Sequence, residues 1–344
     1  MRQFLHLAAG LICLLGSTKL AAQNLENPVE YMNFISKQQE NISKKFMSYT
    51  SAAAHGKRAK KVESLRSKLL DEVQESRMNI SGMGSFKGDK EYRDTAVNFM
   101  KLYFNVLNED YSKIINMEEI AEQSYDGMEA YMLAQEMVDR KLEEGNTRMK
   151  EASARFAAKN NVNLVDGKSE LGDMMKQVSL MNKHYHDVYL IFFKPFKQEA
   201  YLMEAIEKGN ITGIEQNKSS LLKYAQDGLE KLKDLKGFQG DMSIVNTAKA
   251  MLNFYIKEVE KSNSVSDYFL TKERFESIKK EYEKKGSPAK ADVDAYNKAV
   301  GDINKASQAY NNNNQLLNQL RKDALENWNN SVNAFLDNHT PHYK

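Results

Sequence analysis

The chain has 344 residues, of which 4 are proline and 1 is cysteine, and its 49 basic residues nearly balance its 47 acidic residues. A near-neutral chain does not suit a general binder of nucleic acids or anionic membranes, because such proteins need a basic excess to release counterions. The scarcity of proline and the abundance of good helix formers predict an all-α protein with long helices.

Residues 1–23 have the pattern of a signal peptide. Arg2 precedes an apolar run from Leu5 to Leu15 that is too short to span a bilayer, and Ala21-Ala22-Gln23 offers a cleavage site. Cleavage there lowers the number of basic residues to 47, equal to the acidic ones, and removes Cys13, the single cysteine. We therefore predict export to the periplasm, the cell surface or the medium, with no membrane span after signal removal.

Apolar residues recur at helical spacing along the rest of the chain, and no stretch alternates long enough to predict a strand. The pattern predicts helices near 28–50, 54–81, 89–108 and 115–160, and a second set near 172–208, 212–235, 241–262, 267–284 and 289–338. The run Asn311–Asn314 interrupts the last segment. Since Tyr310 and Leu317 keep the heptad phase on either side of it, a continuous helix is favoured over a break.

An internal repeat with an offset of 152 residues is the most informative feature of the sequence. Phe86-Lys87-Gly88-Asp89 is matched by Phe238-Gln239-Gly240-Asp241. The same offset joins three further pairs, namely Leu69-Leu70 with Leu221-Leu222, Thr95-Ala96 with Thr247-Ala248, and Tyr103 with Tyr255. Each copy reads as a helix, a tight turn and a helix start capped by Asp. We therefore predict two tandem, duplicated antiparallel helical bundles, copy 1 in 24–165 and copy 2 in 166–344, with extra residues in copy 2.

Each copy ends on a long helix with a narrow apolar stripe. In copy 1 the stripe is interrupted by Gln135 and Gly145 and otherwise comprises Met128, Tyr131, Val138, Leu142, Met149, Ala152 and Phe156. In copy 2 it comprises Val293, Tyr296, Val300, Ile303, Tyr310, Leu317, Ala324 and Phe335. Such three-four spacing is typical of coiled-coil packing between antiparallel neighbours.

Two pairs of histidines are candidate metal ligands, His184 with His186 on a predicted helix and His339 with His342 at the C-terminus. Residues two apart on a helix point in different directions, so we favour one packed and one exposed histidine in the first pair. The second pair flanks Pro341, where it could bind a metal or have no role. The motifs of zincins, P-loop proteins and G-x-S-x-G hydrolases are missing, so we predict no catalytic residues, no cofactor and no enzyme.

Aromatic residues concentrate on one predicted helix, in excess of what a single stripe buries: Tyr185, Tyr189, Phe192, Phe193 and Phe196. Two interpretations remain open. The favoured one is a helix that packs between the lobes and is covered on two sides. In the other, part of the helix is an exposed apolar patch that binds a partner or ligand.

The signal peptide, the two helical lobes, the twin Phe-x-Gly-Asp turns and the ending Phe335–His339 resemble a family of secreted or surface proteins of diderm bacteria, of the leptospiral type. The resemblance implies export and no particular activity. The paired bundles are also similar to those of imelysin-like periplasmic proteins, which are tied to iron uptake. Their Gly-x-His-x-x-Glu motif is missing here, since His184 is followed three residues later by Asp187 and lacks the preceding glycine.

These observations predict an exported, non-catalytic helical interaction protein of the periplasm or cell surface. Its expected partner is another protein or a component of the cell envelope. A nucleic acid partner is not expected. A small-ligand or metal carrier is the alternative. An unrecognised enzyme and a helical pore-former are less favoured, because the inward carboxylate–histidine sets and the long apolar hairpin that they need are missing. The oligomeric state is left open.

Overall fold

The computed structural model describes residues 25–110, 121–165 and 169–343. In order, its helices are α1 (Pro28–Ala54), α2 (Ala59–Ser81), α3 (Glu91–Asn105), α4 (Tyr125–Lys159), α5 (Glu170–Glu207), α6 (Ile211–Lys233), α7 (Ser243–Lys261), α8 (Asn263–Glu283) and α9 (Lys290–His339). A π-helical turn, Val106–Asp110, extends α3. The described residues form no sheet, which confirms the all-α prediction. The predicted signal peptide and Cys13 lie outside the described residues.

Side-chain caps explain where several helices begin. Asn27 precedes Pro28 and accepts a hydrogen bond from the Val29 amide at 2.8 Å. Ser124 caps α4, and Asn210 caps α6, each by accepting an amide hydrogen bond three residues later at 3.0 Å. A short polar side chain at this position satisfies one of the free amides of a helix start. Because α9 continues through Asn311–Asn314, the continuous helix is confirmed.

The two Phe-x-Gly-Asp segments form the same tight turn. In Phe86–Asp89 the central residues have φ angles of 50° and 86°, and in Phe238–Asp241 they have 51° and 90°. Positive φ at both central residues is the signature of a type I′ turn, in which glycine at the second position avoids strain. In both turns the Asp amide donates to the Phe carbonyl at 2.9 Å. The glycine is therefore required by the backbone, and it explains the repeated sequence.

The aspartate of each turn starts the next helix. Asp89 Oδ1 accepts from the Glu91 amide at 2.9 Å, and Asp241 Oδ1 accepts from the Ser243 amide at 2.7 Å. The helices that enter the turns, α2 and α6, begin 152 residues apart and end 152 residues apart. The entering helices thus share their length, and the two turns share their geometry. The duplication of whole bundles remains a prediction.

The chain folds into two compact units, which divide elsewhere than at the predicted boundary. Unit 1 comprises residues up to His186 together with those from Phe335 onward, and unit 2 comprises Asp187–Ala334. The predicted boundary after residue 165 was based on a lapse in helical periodicity. The first part of α5 nevertheless packs in unit 1, where Met175 and Val178 belong to the core.

The core of unit 1 contains an aromatic cluster around Phe156, near the end of α4. Its ring centroid lies 5.3 Å from that of Tyr31, 5.1 Å from that of Phe86 and 5.3 Å from that of Tyr92. The Tyr31 hydroxyl donates to the Gly84 carbonyl at 2.9 Å, so the phenol keeps a partner inside the core. Phe86 of the first turn and Phe156, the last residue of the α4 stripe, therefore pack in one cluster.

The two long apolar stripes differ in how completely they are covered. The α4 stripe is buried from Met128 to Phe156 except for the half-buried Tyr131, and its interruptions Gln135 and Gly145 are buried as well. A Cβ atom at Gly145 would lie 2.7 Å from Leu102 Cδ2, so this glycine allows α3 to approach closely. In α9, by contrast, the stripe is only half-buried from Val293 to Tyr310 and becomes buried at Leu317.

We expect Gly88→Ala and Gly240→Ala to destabilise the protein by a similar amount, about 1 kcal/mol each. Both positions have open space around an added Cβ, so the cost is that of an L-residue at positive φ. Urea unfolding of the two variants measures it. Gly84→Ala is the matched control, because it also has open space and its φ is not positive. Equal stability of all three variants would contradict the turn assignment.

Candidate functional site

The first histidine pair consists of one buried and one half-buried side chain. His186 is buried, and burial lowers its pKa to about 4, so the imidazole is neutral at physiological pH. His184 is half-buried, and its ring centroid lies 5.9 Å from that of Phe335. The packed histidine of the sequence prediction is thus His186, whereas His184 is less exposed than expected.

The C-terminal tail docks within unit 1. The His339 carbonyl accepts from Gln177 Nε2 at 2.9 Å, and the His342 ring stacks on His55 with centroids 3.7 Å apart. His55 Nδ1 lies 2.7 Å from Asp337 Oδ1. Sequence reasoning did not identify His55, since no local pattern links it to a tail that lies almost the whole chain length away.

The predicted metal ligands do not form a recognisable metal centre. His184 and His339 flank the same ring, Phe335, at centroid distances of 5.9 and 4.7 Å, while His342 pairs with His55. Among residues 25–110, 121–165 and 169–343, no group of three or more His, Cys, Asp or Glu side chains is arranged to hold a metal ion. Zinc sites in proteins normally need at least three such ligands.

The aromatic helix α5 buries most of its rings. Tyr189, Phe192 and Phe193 are buried, and Phe192 stacks on Trp328 of α9 with centroids 4.1 Å apart. These three rings are therefore core residues and are not available to a partner. Tyr185 and Phe196 are half-buried, so the prediction of a partner surface remains open for these two rings.

A buried ion cluster joins three helices of unit 2. Arg321 of α9 donates through Nε to Glu199 of α5 and through Nη2 to Glu258 of α7. The exposed fractions of the two glutamates are 4% and 0%. A third guanidinium nitrogen, Nη1, donates to Asn318 Oδ1 at 2.6 Å. Buried charges are tolerated in this way only when they are paired and hydrogen-bonded.

The cluster holds two carboxyl groups for one cation, and the pKa of Glu258 is raised. Burial raises the pKa of Glu258 to about 8, and the neighbouring charge of Glu199 contributes in the same direction. Glu258 is therefore mostly protonated at neutral pH and accepts from Arg321 mainly as a neutral acid. The Tyr255 hydroxyl is buried next to the cluster, and burial raises its pKa well above the ordinary value. Both carboxyl groups are buried, and the cluster joins α5, α7 and α9 through Arg321.

Helix α8 is attached to the rest of unit 2 near its first turn. Lys218 Nζ of α6 donates to Asn263 Oδ1 at 2.8 Å, and the Ser266 hydroxyl donates to the carboxylate of Glu215. Val265 and Ser266 are the buried residues of α8, whose later residues are half-buried or exposed. Beyond these residues, Phe269 lies against Gly209 in the connection between α5 and α6, and aromatic rings of α8 pack against the first part of α9.

Pairs of aromatic rings hold α8 against α9. Tyr268 stacks on Tyr310 with centroids 4.9 Å apart, and Tyr282 stacks on Tyr296 at 4.7 Å. Between them, the Phe275 centroid lies 6.1 Å from that of Tyr296. These contacts fix an antiparallel helical hairpin in which the end of α8 lies beside the start of α9.

One side of this hairpin is a groove of about 450 Å³, here called the hairpin groove. Its floor is formed by Thr271, Phe275 and Ile278 of α8 and by Ala299 and Ala306 of α9. All five side chains are apolar or carry a methyl group, and only Ala299 is fully buried. Small residues on α9 keep the floor low, so that a helix backbone could approach it closely.

Charged side chains line the rim of the hairpin groove. Arg274 belongs to the α8 wall, Lys298 and Lys305 to the α9 wall, and Asp267 and Asp302 complete the set. Lys298 Nζ donates to Asp302 Oδ2 at 2.9 Å. This hydrogen bond lowers the pKa of Asp302, and the charges of Arg274 and Lys305 add to the effect. Asp302 is therefore held by cations of both walls, and the groove keeps a basic excess.

Sequence reasoning did not identify the hairpin groove. The sequence does contain a second stripe of small residues on α9, formed by Ala295, Ala299, Ala306 and Ala309. This alanine stripe runs beside the larger apolar residues that pack on α8. In the sequence the two stripes therefore read as one apolar face of the helix.

Comparison with protein-family models, curated proteins and solved structures finds no match for this chain. In the part of the chain that the structure describes, none of the helices combines the length and apolar character needed to cross a membrane.

Arg321→Met should destabilise the protein by about 3 kcal/mol at neutral pH, because it leaves a buried carboxylate without its cation. Glu258→Gln should change the stability little at the same pH, since the glutamine resembles the protonated acid. Urea unfolding monitored by circular dichroism compares the two. Equal losses for both variants would contradict the assigned protonation state.

The stability of the parent protein should decline relative to that of Glu258→Gln as the pH rises from about 5 to 9. The folded pKa of about 8 lies above the ordinary value of 4.5, so the folded state binds the proton more tightly than the unfolded state. That stabilisation is complete below the ordinary pKa and is lost as the pH rises through the folded one. Parallel stability curves for the two proteins would exclude the raised pKa.

Proposed function

We propose that this chain is an exported, non-catalytic binding protein that holds a helix of a partner protein in the hairpin groove. The observation that carries the proposal is the uncovered side of the hairpin. Beyond Phe269, rings of α8 pack against α9, and the apolar floor between the two helices is open on one side. Helices in a bundle normally cover such stripes with a third or fourth helix, since burial of apolar area is favourable.

The hairpin is suited to be a binding platform because its own geometry is rigid. Stacked rings connect its two helices near both ends, and Lys218 and Glu215 hold its base. A preformed groove avoids the entropic cost of ordering a loop when the partner binds. A third helix laid along the groove would complete a three-helix arrangement.

The predicted repeat supports the same proposal. The offset of 152 residues relates α2 and its turn to α6 and its turn, and copy 2 has extra residues after this segment. The hairpin occupies those extra residues. In copy 1, the end of α3 at Asn105 and the start of α4 at Tyr125 are separated by fewer residues than α8 contains. We infer that the hairpin was added to a scaffold common to both halves, as elements that carry a binding function often are.

The carrier alternative has less support. A second depression, beside Leu171, Met174 and Tyr343 in unit 1, has a volume of about 230 Å³. Pockets for ligands of drug size usually exceed roughly 300 Å³. The export part of the proposal is supported by the sequence pattern of residues 1–23.

Photo-cross-linking in producing cells tests the proposal. A photoreactive amino acid at Ala306, in the floor of the groove, should cross-link a second protein, and the same group at Asn304 should not. Asn304 is exposed on the same helix turn but does not line the groove, so it is a matched control. Adding Ala299→Arg, which fills the groove, should abolish the Ala306 adduct. Adducts of equal yield at both positions, or none at Ala306, would refute binding in the groove.

A further inference from the structure

The charges of the hairpin groove identify the kind of helix that it fits, an inference that rests on the proposed function. Arg274, Lys298 and Lys305 supply three cations, and Asp267 and Asp302 supply two anions. Asp302 lies near Arg274, Lys298 and Lys305, which all lower its pKa. The rim therefore has one cation more than it has anions, and Lys298 is the cation that pairs directly with Asp302.

We propose that the partner is an amphipathic helix whose apolar stripe is flanked by acidic residues. Its apolar side chains pack over Ala299 and Ala306, where the floor is low, and against Phe275. Its carboxylates lie opposite Arg274 on one wall and Lys298 on the other. Both cations are exposed, and Lys298 also donates to Asp302. Complementary charges at a rim mainly determine the choice of partner and the rate of association.

The length of the groove sets the length of the partner helix. The α8 wall runs from Ser264 to Ile278, which corresponds to about 21 Å at 1.5 Å per residue. A partner helix of about four turns therefore spans it. The charges of the rim also differ along the groove, because Asp267 lies near the base of the hairpin and Lys298 lies toward the far end. This difference sets the expected direction of the partner helix. Acidic residues of the partner are expected over the far end.

A second copy of this chain is a poorer occupant than an acidic helix. Two identical grooves that face each other would bring the same basic excess together, and like charges at an interface disfavour association. Self-association through the groove is therefore an outcome that would overturn the proposal.

The test uses the mature protein and two synthetic helical peptides of about three heptads, with leucine in the apolar stripe. One peptide carries glutamate on the flanks of the stripe, and the other carries lysine. By fluorescence anisotropy at about 50 mM salt, the acidic peptide should bind at least about tenfold more tightly than the basic one. This preference should shrink at about 300 mM salt, because rim charges are screened.

The double variant Arg274→Glu/Lys298→Glu should reverse the preference. The matched control Lys272→Glu/Lys290→Glu makes the same change in net charge at exposed hairpin positions outside the groove, and should keep the preference within about twofold. Circular dichroism and unfolding midpoints verify that both variants are folded. Equal binding of the two peptides, an unchanged preference in the reversed variant, or a dimer measured by light scattering that Arg274→Glu/Lys298→Glu disrupts would overturn the acidic-helix proposal.

The two levels of the proposal fail separately. If the Ala306 cross-link to another protein is present but the acidic peptide shows no preference, the groove binds a partner and its charge complementarity is wrong. If the cross-link is missing, the proposed function itself fails, whatever the peptides do.

Discussion

The need to cover the apolar stripe of a long helix organises this structure. In α4 the stripe is covered along almost its whole length, and its last residue, Phe156, is the centre of the aromatic cluster of unit 1. In α9 the stripe is buried at Leu317 and Phe335, while its first part packs against α8 and is only half-buried. Since one helix cannot cover both sides of another, an apolar groove remains.

Two features of unit 2, its buried ion cluster and its α8–α9 hairpin, have different consequences for function. The cluster of Glu199, Glu258 and Arg321 lies inside the unit and joins three of its helices, so it stabilises the arrangement only while its charges remain paired. The hairpin contains rings that stack between two helices and charges that remain partly exposed. The ion cluster stabilises the packing of unit 2, and the hairpin presents a surface to solvent. This division agrees with the proposal that the hairpin groove binds a partner.

Local features were predictable from the sequence because they depend on neighbouring residues. Helical periodicity located the helices, and the Phe-x-Gly-Asp pattern located both type I′ turns, in which glycine accommodates positive φ. The continuity of α9 through Asn311–Asn314 followed from the heptad phase. In each case the physical cause lies within a few residues along the chain.

Features that depend on tertiary packing were not predictable in this way. The unit boundary falls within α5, because Met175 and Val178 join the core of unit 1 despite the irregular segment before them. The partners of Arg321 lie on helices far away in sequence, and so does the stacking partner of His342. The hairpin groove was not predicted, because its exposure depends on which side of α9 another helix covers. Helical periodicity shows where an apolar stripe lies and does not show whether another helix covers it.

The most direct test of the central claim is the accessibility of the α9 stripe in the isolated protein. The mature chain defined by the predicted cleavage has no cysteine, so a single cysteine can be placed at Ala306 in the groove or at Ala152 on the covered stripe of α4. The rate of thiol labelling under native conditions then compares the two stripes. We expect rapid labelling at position 306 and strong protection at position 152. Equal protection at both positions would show that the groove is closed and would contradict binding of a partner helix in it.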